Sequence, residues 1–318
     1  MNNENEIERL SGCPVCGTPH AVQCARPNNI IGEAYFQKVV PLIELVRCSG
    51  CGLEFVNPRP APHMLQGFYE QPGYVHHESD QGAAYCQGKL TMVQSFAKGR
   101  RLIDIGCGGG SFLAAARDLG YEVTGMEPSS QGRANVERQG IDVHASLAPL
   151  LEGKRRFDVV TLWHVLEHIP DLAQVLQDIR NLMDKDAVLL VAVPNIKSAR
   201  AWLLGLFPSL SATDSRYRAF PIHLHAFSKR SLTVLMKRCG FQVHAITTRY
   251  IAVDDLFREI GAKGVPIRAT AQGSLKPMKN NPAGRYIAEW VKKVFFWLCL
   301  GESLVVISKK ASGSDPLV

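Results

Sequence analysis

Three groups of residues have the types and spacing to do chemistry. Nearest the N-terminus, Cys13-Pro-Val-Cys16-Gly and Cys48-Ser-Gly-Cys51-Gly form two Cys-x-x-Cys-Gly knuckles. Two thiolates three residues apart on a tight turn can face one ion. The glycine after each pair permits the positive φ that turns N–H groups toward sulfur. Four sulfurs close a tetrahedral shell, so the pattern predicts one structural Zn2+ held by Cys13, Cys16, Cys48 and Cys51, with no open position for chemistry. Cys24, Cys86, Cys239 and Cys299 lack a partner at knuckle spacing.

The second group is Asp104-Ile-Gly106-Cys107-Gly108-Gly109-Gly110, with Glu127 further on. Glycines let a backbone pass close to a ligand. The loop lacks the Lys-Ser/Thr of a triphosphate-binding P-loop. The third group is histidine: His164, His168, His223 and His225. A histidine suits removal of a proton near neutral pH, since its unperturbed pKa is about 6.5.

These groups need elements to hold them. Leu102–Ile105 reads as a buried strand, and Phe112, Ala115, Ala116 and Leu119 recur at helical spacing after the glycines. Strand, glycine turn, helix follows. Tyr121–Met126 reads as a second strand ending at Glu127, Ile141–His144 as a third, Phe157–His164 as a fourth and Ala187–Pro194 as a fifth. Gln242–Thr248 and Leu304–Ser308 supply a sixth and seventh. Pro128-Ser129-Ser130 starts one intervening helix, and Leu172, Val175, Leu176, Ile179 and Leu182 stripe another. Helices are also expected around His63–Tyr69 and Tyr85–Ala97. Asn57-Pro-Arg-Pro-Ala-Pro62 interrupts regular structure and marks a boundary. The organisation expected is a zinc ribbon over 1–58, a helical linker over 59–98 and an α/β domain over 99–318, with insertions at 196–222 and 250–300.

Asp104-x-Gly106-x-Gly108-x-Gly110 resembles the Asp-x-Gly-x-Gly-x-Gly motif of class I S-adenosylmethionine-dependent methyltransferases at every fixed position. The resemblance covers residues 99–250 and 301–310. It implies a seven-stranded Rossmann-like sheet flanked by helices. It also implies that Gly106 and Gly108 line the methionine part of S-adenosylmethionine, that Asp104 orders the loop and the amino-acid end, that Glu127 holds the ribose, and that Cys107 and Pro128 belong to the same cofactor site. Ser146 stands where the family often carries an acid near adenine. Trp163 and His164 end the fourth strand at the carboxyl edge of the sheet, where ligands of open α/β sheets bind. Phe157-Asp…Leu166-Glu-His168 and His223-Leu-x-x-Phe-Ser228 resemble a subfamily that includes ubiquinone-biosynthesis O-methyltransferases and sugar-modifying enzymes, some with a similar ribbon. Candidate bases, in order, are His223, His168 and His164. Ala226 replaces a second histidine frequent there, unless His225 substitutes.

The chain has 318 residues, 46% apolar, with a formal charge of +7; mean hydropathy is −0.03. That suffices for a sizeable core. Nine cysteines without a signal-peptide pattern predict a reducing, cytoplasmic setting. The expected substrate is a small molecule or glycan precursor, such as a nucleotide- or lipid-linked sugar. Two other readings remain: an RNA methyltransferase gripping RNA with the ribbon, and a non-catalytic cofactor-binding scaffold. The absence of an Asn-Pro-Pro-aromatic motif after the fourth strand argues against nucleic-acid bases, and the intact glycine loop against the scaffold. The basic, aromatic stretch 285–300 suits a packed helix, a homodimer contact or a peripheral membrane contact.

Overall fold

The computed structural model describes residues 3–25, 33–71, 83–198, 220–249 and 301–311. The expectations for the 250–300 insertion, for most of the 196–222 insertion and for Cys299 lie outside those residues. In chain order the N-terminal elements are β1 (Ile7–Glu8), β2 (Ala21–Ala25), α1 (Glu33–Phe36), β3 (Leu45–Cys48), β4 (Glu54–Val56), β5 (Arg59–Pro60), α2 (Pro62–Tyr69) and α3 (Ala83–Phe96). There follow β6 (Arg101–Ile105), α4 (Ser111–Asp118), β7 (Glu122–Met126), α5 (Ser130–Glu137), β8 (Asp142–His144), α6 (Ala148–Glu152), β9 (Phe157–Trp163), α7 (Leu172–Leu182) and β10 (Met183–Pro194). The last are β11 (His225–Ala226), α8 (Lys229–Arg238), β12 (Phe241–Arg249) and β13 (Ser303–Lys310).

The main sheet has seven strands in the order β12-β13-β10-β9-β6-β7-β8. β8, β7, β6, β9 and β10 run parallel, and β13 lies antiparallel between β10 and β12. The expected seven-stranded α/β sheet is therefore present. The strand order reverses between the parallel neighbours β6 and β9, and the carboxyl ends of two such strands flank the crevice where open α/β sheets bind ligands. The centre of the sheet is covered on both faces: Leu102, Ile103, Ile105, Val159, Val160, Leu162 and Leu189–Val191 are buried. Such near-continuous apolar runs are what parallel strands beneath helices require.

The helices use the sequence as their stripes foretell. α7 buries Leu172, Leu176, Ile179 and Leu182, with Asp171 capping its N-terminus by accepting from Gln174 N–H. Each such leucine contributes roughly 1.5–3 kcal/mol. α4 departs from its expected stripe at two positions, Ala115 and Leu119, and Ala115 is only half-buried. Phe112, Leu113 and Ala116 form its buried face, whereas Leu119 is 39% exposed, because the helix has ended and the chain is turning toward β7.

A second sheet belongs to the N-terminal module. Its order is β11-β4-β3-β2, so a strand from beyond residue 220 completes it: His225 pairs with Phe55 and Ala226 with Glu54. Neither β4 nor β11 is a strand that the sequence announces. The two knuckles sit in the same apolar cluster as α8, with Cys13, Val15, Cys48, Cys51 and Leu53 packed together with Leu232, Leu235 and Met236.

Candidate functional site

The glycine loop begins where β6 ends. Gly106 (φ +70°), Gly108 (φ +54°) and Gly110 (φ +82°) all occupy the left-handed region, which side chains rarely tolerate. The N–H groups of Gly106 and Cys107 both donate to Met126 O, at 2.7 and 3.1 Å. A Cβ on Gly106 would meet Val165 Cγ2 at 2.5 Å. The loop is folded against the β7 terminus by its own backbone.

Two buried acids fix this geometry. Asp104 accepts from Thr161 Oγ1 at 2.5 Å, joining β6 to β9. Glu127 accepts from Gly108 N–H and from Ser129 N–H, both at 2.9 Å, one on each carboxylate oxygen. Ser129 in turn caps α5 through Gly132 N–H. A carboxylate oxygen has more than one acceptor site, so Glu127 can hold the loop and still receive ligand hydroxyls. Gly132 leaves room for it, since a Cβ there would lie 2.7 Å from Glu127 Cγ.

The residues named from sequence do not all do the same work. Cys107 is buried in the apolar cluster with Phe112 and Leu113, and its Sγ packs where a Cβ on Gly125 would be. It supports the loop from beneath. Pro128 offers its carbonyl to Arg133. Ser146 is exposed after β8. Trp163 is buried, edge-on to Phe112 with centroids 5.6 Å apart, and its Nε1 has no hydrogen-bond partner among the described residues.

A pocket opens at the loop, lined by Tyr85, Lys89, Cys107, Gly109, Ser111 and Phe112. Lys89 was not foreseen. It is buried on α3, its ammonium 4.3 Å from the Tyr85 ring centre, 5.1 Å from Trp163 and 5.6 Å from Phe112, a cation–π setting. Its signal in the sequence is a lone charge on the face that otherwise carries Cys86, Leu90 and Val93.

S-adenosylmethionine fits these groups on chemical grounds. Lys89 offers positive charge to its carboxylate, Trp163 an unsatisfied indole N–H, and Glu127 acceptors for its ribose hydroxyls.

Beyond β9 the histidines gather. His164 takes φ +59°, a strained conformation for a side-chain-bearing residue, anchored by its N–H to Ala192 O at 2.9 Å. Its Nε2 lies 3.2 Å from Ser303 Oγ. Its Nδ1 lies 3.6 Å from Glu167 Oε1, a charge-pairing rather than hydrogen-bonding distance. His168 Nδ1 is 3.0 Å from both Ile222 O and Tyr69 Oη. A carbonyl only accepts, so Nδ1 carries the proton and Nε2 is the basic nitrogen of the neutral ring. His223 packs edge-on to His168, ring centroids 4.6 Å apart. Ligand atoms of Glu167, His168 and His223 all lie within 4.8 Å of one another.

Glu167 sits fully buried among these rings. Burial pushes its carboxyl up, but His164 and the charges of His168 and His223 more than offset this and hold it below its ordinary range. His225 does not join the group. It is buried on β11, with Nε2–H donating to Ile169 O at 3.0 Å. Burial first, and then the Arg59 charge, lower its pKa to about 3, so it stays neutral near pH 7 and holds a proton only weakly. Glu167, Tyr69 and Ser303 are further residues that sequence reasoning passed over. Only Glu167, between two histidines, gave any hint.

At the other end, the cysteines do converge. Cys13 Sγ is 3.6 Å from Cys51 Sγ, and Cys16 Sγ is 3.4 Å from Cys48 Sγ. All four sulfurs lie within 4.8 Å of one another. A ZnS4 tetrahedron with bonds of about 2.3 Å has sulfurs about 3.8 Å apart, so the cluster fits zinc. The Cys51 hydrogen bond lowers the Cys13 thiol to about 5, and the same contact pushes Cys51 up. The pair shares one negative charge that a dication would neutralise.

Ubiquinone biosynthesis O-methyltransferase of Actinobacillus pleuropneumoniae serotype 7 is 29% identical to this chain over 156 residues, covering 44% of the chain and 64% of the relative. The enzyme of the same name from Histophilus somni is 25% identical over 185 residues, covering 51% and 77% respectively. The chain thus spans about two-thirds or less of the first of these relatives. A solved S-adenosylmethionine-dependent methyltransferase from Archaeoglobus fulgidus is 20% identical, with 73% of this chain and 97% of that one aligned at a TM-score of 0.49. The methyltransferase-domain family matches residues 74–246, more than half of the sequence and the whole of the glycine loop and its two acids, and the chain belongs to that family.

Proposed function

We propose that this protein transfers a methyl group from S-adenosylmethionine to a hydroxyl of a small-molecule acceptor. The observation that carries the reading is a juxtaposition at one sheet edge. The loop held by Asp104 and Glu127 ends β6, and the Glu167–histidine group follows β9, the adjacent strand. Val165, which fills the space over Gly106, stands two residues from Glu167, so the two halves touch.

Bound S-adenosylmethionine supplies a methyl group already activated on a sulfonium. The chain must then orient an acceptor in line and take its proton. His223 is the favoured base and His168 the next. Glu167 stabilises whichever ring becomes cationic, because a buried carboxylate beside an imidazolium is worth far more than one in water. Tyr69 and Ile222 O set the His168 tautomer. Lys89 balances the carboxylate of the cofactor.

A sugar-type acceptor, nucleotide- or lipid-linked, is the finer proposal. It is supported by the ribbon and by the His223…Ser228 segment, which resemble features of a subfamily that includes sugar-modifying enzymes alongside ubiquinone-biosynthesis O-methyltransferases. Calorimetry with S-adenosylhomocysteine tests the core of the reading: saturable one-site binding is expected, and no heat at millimolar ligand would end it. An acceptor screen with labelled S-adenosylmethionine against nucleotide sugars and phenols would then name the acceptor class.

A further inference from the structure

We infer that the four-cysteine ribbon positions the acceptor-side histidines: metal at the knuckles holds His223 in place through a strap of backbone hydrogen bonds. The consequence for catalysis rests on the function proposed above; the mechanical coupling does not.

The strap starts at the second knuckle. Cys48-Ser-Gly-Cys51 turns directly into Leu53 and β4, and Cys48 N–H donates to Leu53 O at 2.9 Å. β4 then pairs with β11, and β11 is a two-residue edge strand whose sheet partner among the described residues is β4. Leu224, between His223 and His225, uses both backbone groups across the gap. Its carbonyl accepts from Val56 N–H of the ribbon at 3.0 Å, and its N–H donates to Glu167 O at 2.8 Å. His225 adds the bond from Nε2–H to Ile169 O. Leu224 and His225 are therefore positioning residues for the His223 ring.

The far end of the segment is tied to the knuckles as well. Arg230 donates to Gly50 O at 2.8 Å and Arg238 to Cys16 O at 2.7 Å. Four sulfurs this close are held apart by charge or together by metal, so the free energy of metal binding is also the free energy of ordering the ribbon. A ribbon that loosens gives up the sheet partner of β11. Glu127 and Gly106 are fixed instead by hydrogen bonds within β6, β7 and the start of α5.

The test uses the full chain, zinc-loaded and then stripped by a chelator under reducing conditions. Three readouts are the Leu224 amide exchange rate, the ¹⁵N signals of the His223 ring and the Kd for S-adenosylhomocysteine. Zinc removal should speed Leu224 exchange by about 10-fold or more, because a protected amide exchanges through local opening, and should move the His223 signals. The Kd should change less than about 3-fold, as expected of a loop fixed by its own hydrogen bonds to Glu127 and Met126 O rather than by the strap. His225→Phe, with zinc still bound, should move the His223 signals too. Unchanged exchange and His223 signals after stripping overturn the inference. So does parallel loss of ligand affinity and Leu224 protection, which would mean that zinc holds up the whole chain. Should the zinc-loaded protein bind no S-adenosylhomocysteine, the proposed function fails, while the exchange and ring signals still decide the coupling.

Discussion

The two halves of the crevice are built from different materials. On the β6–β7 side the proposed cofactor surface is mainly backbone: three positive-φ glycines, paired N–H bonds to Met126 O, and Glu127 gripping two more N–H groups. On the β9 side it is side chain, with Tyr69, His164, Glu167, His168, His223 and Ser303 arriving from four separate stretches of sequence. A backbone surface suits a ligand that never varies. A side-chain surface can be rebuilt for a new acceptor while the sheet stays as it is. The first half should therefore fail all at once under mutation, and the second piece by piece.

The sharpest way to break that contrast is Gly106→Val. The new side chain would need a disfavoured φ and would meet Val165 at 2.5 Å. Binding of S-adenosylhomocysteine should vanish from calorimetry while the sheet persists by circular dichroism. Retained affinity would show that the loop is not the binding surface.

Next comes His223→Ala. Removing a general base costs on the order of 10²–10⁴-fold in turnover, and cofactor affinity should stay within about 3-fold because the loop is held by Glu127 and Met126 O rather than by His223. If turnover proves normal, the role passes to His168, which His168→Ala then tests in the same assay.

The same division explains what could be read in advance. Asp104, Gly106, Gly108 and Glu127 were legible because the loop and its acids are close in sequence and each residue type is forced by backbone geometry. The knuckles were legible for the same reason. The main sheet was too, since its strands are apolar runs bounded by turns. The histidine group was only half legible. Its members are polar residues in short connections, and their meeting depends on how β10, β11 and β13 stack, which no local pattern encodes. β11 shows this most clearly. His225-Ala226 has no strand signature, and it becomes a strand because β4 of a distant module offers an unpaired edge. Lys89 was hidden in another way: a lysine on an apolar helix face reads as a snorkelling surface residue until Tyr85, Phe112 and Trp163 are seen to surround it.

A third, smaller effect probes the neutrality of His225. Its pKa drops from 6.5 to about 3 on folding, chiefly through burial. The unfolded chain therefore binds the extra proton first, so this histidine's stabilising contribution is complete above about pH 6.5 and is lost as pH falls toward 3. At pH 5 the loss is roughly 2 kcal/mol, at 1.36 kcal/mol per unit. Chemical denaturation between pH 7 and 5 should show this slope in the native protein, and His225→Phe should flatten it. An unchanged slope in the variant would assign the acid sensitivity to other groups.

Ser303→Ala is the mildest change and the one that best separates His164 from the other two rings. Ser303 Oγ is the named partner of His164 Nε2 at 3.2 Å, and it starts β13, a strand that joins the sheet far from the loop. A single neutral hydrogen bond contributes about 0.5–1.5 kcal/mol, so turnover should fall no more than about 10-fold if His164 touches the acceptor. If His164 serves only to hold Glu167, with which it shares charge at 3.6 Å, Ser303→Ala should leave turnover within about 2-fold and instead shift the acid limb of the pH profile, because a His164 ring freed to turn weakens the charge pairing that keeps Glu167 ionised. A loss of cofactor affinity in this variant would contradict the contrast itself, since Ser303 would then belong to the half of the crevice from which the structure separates it.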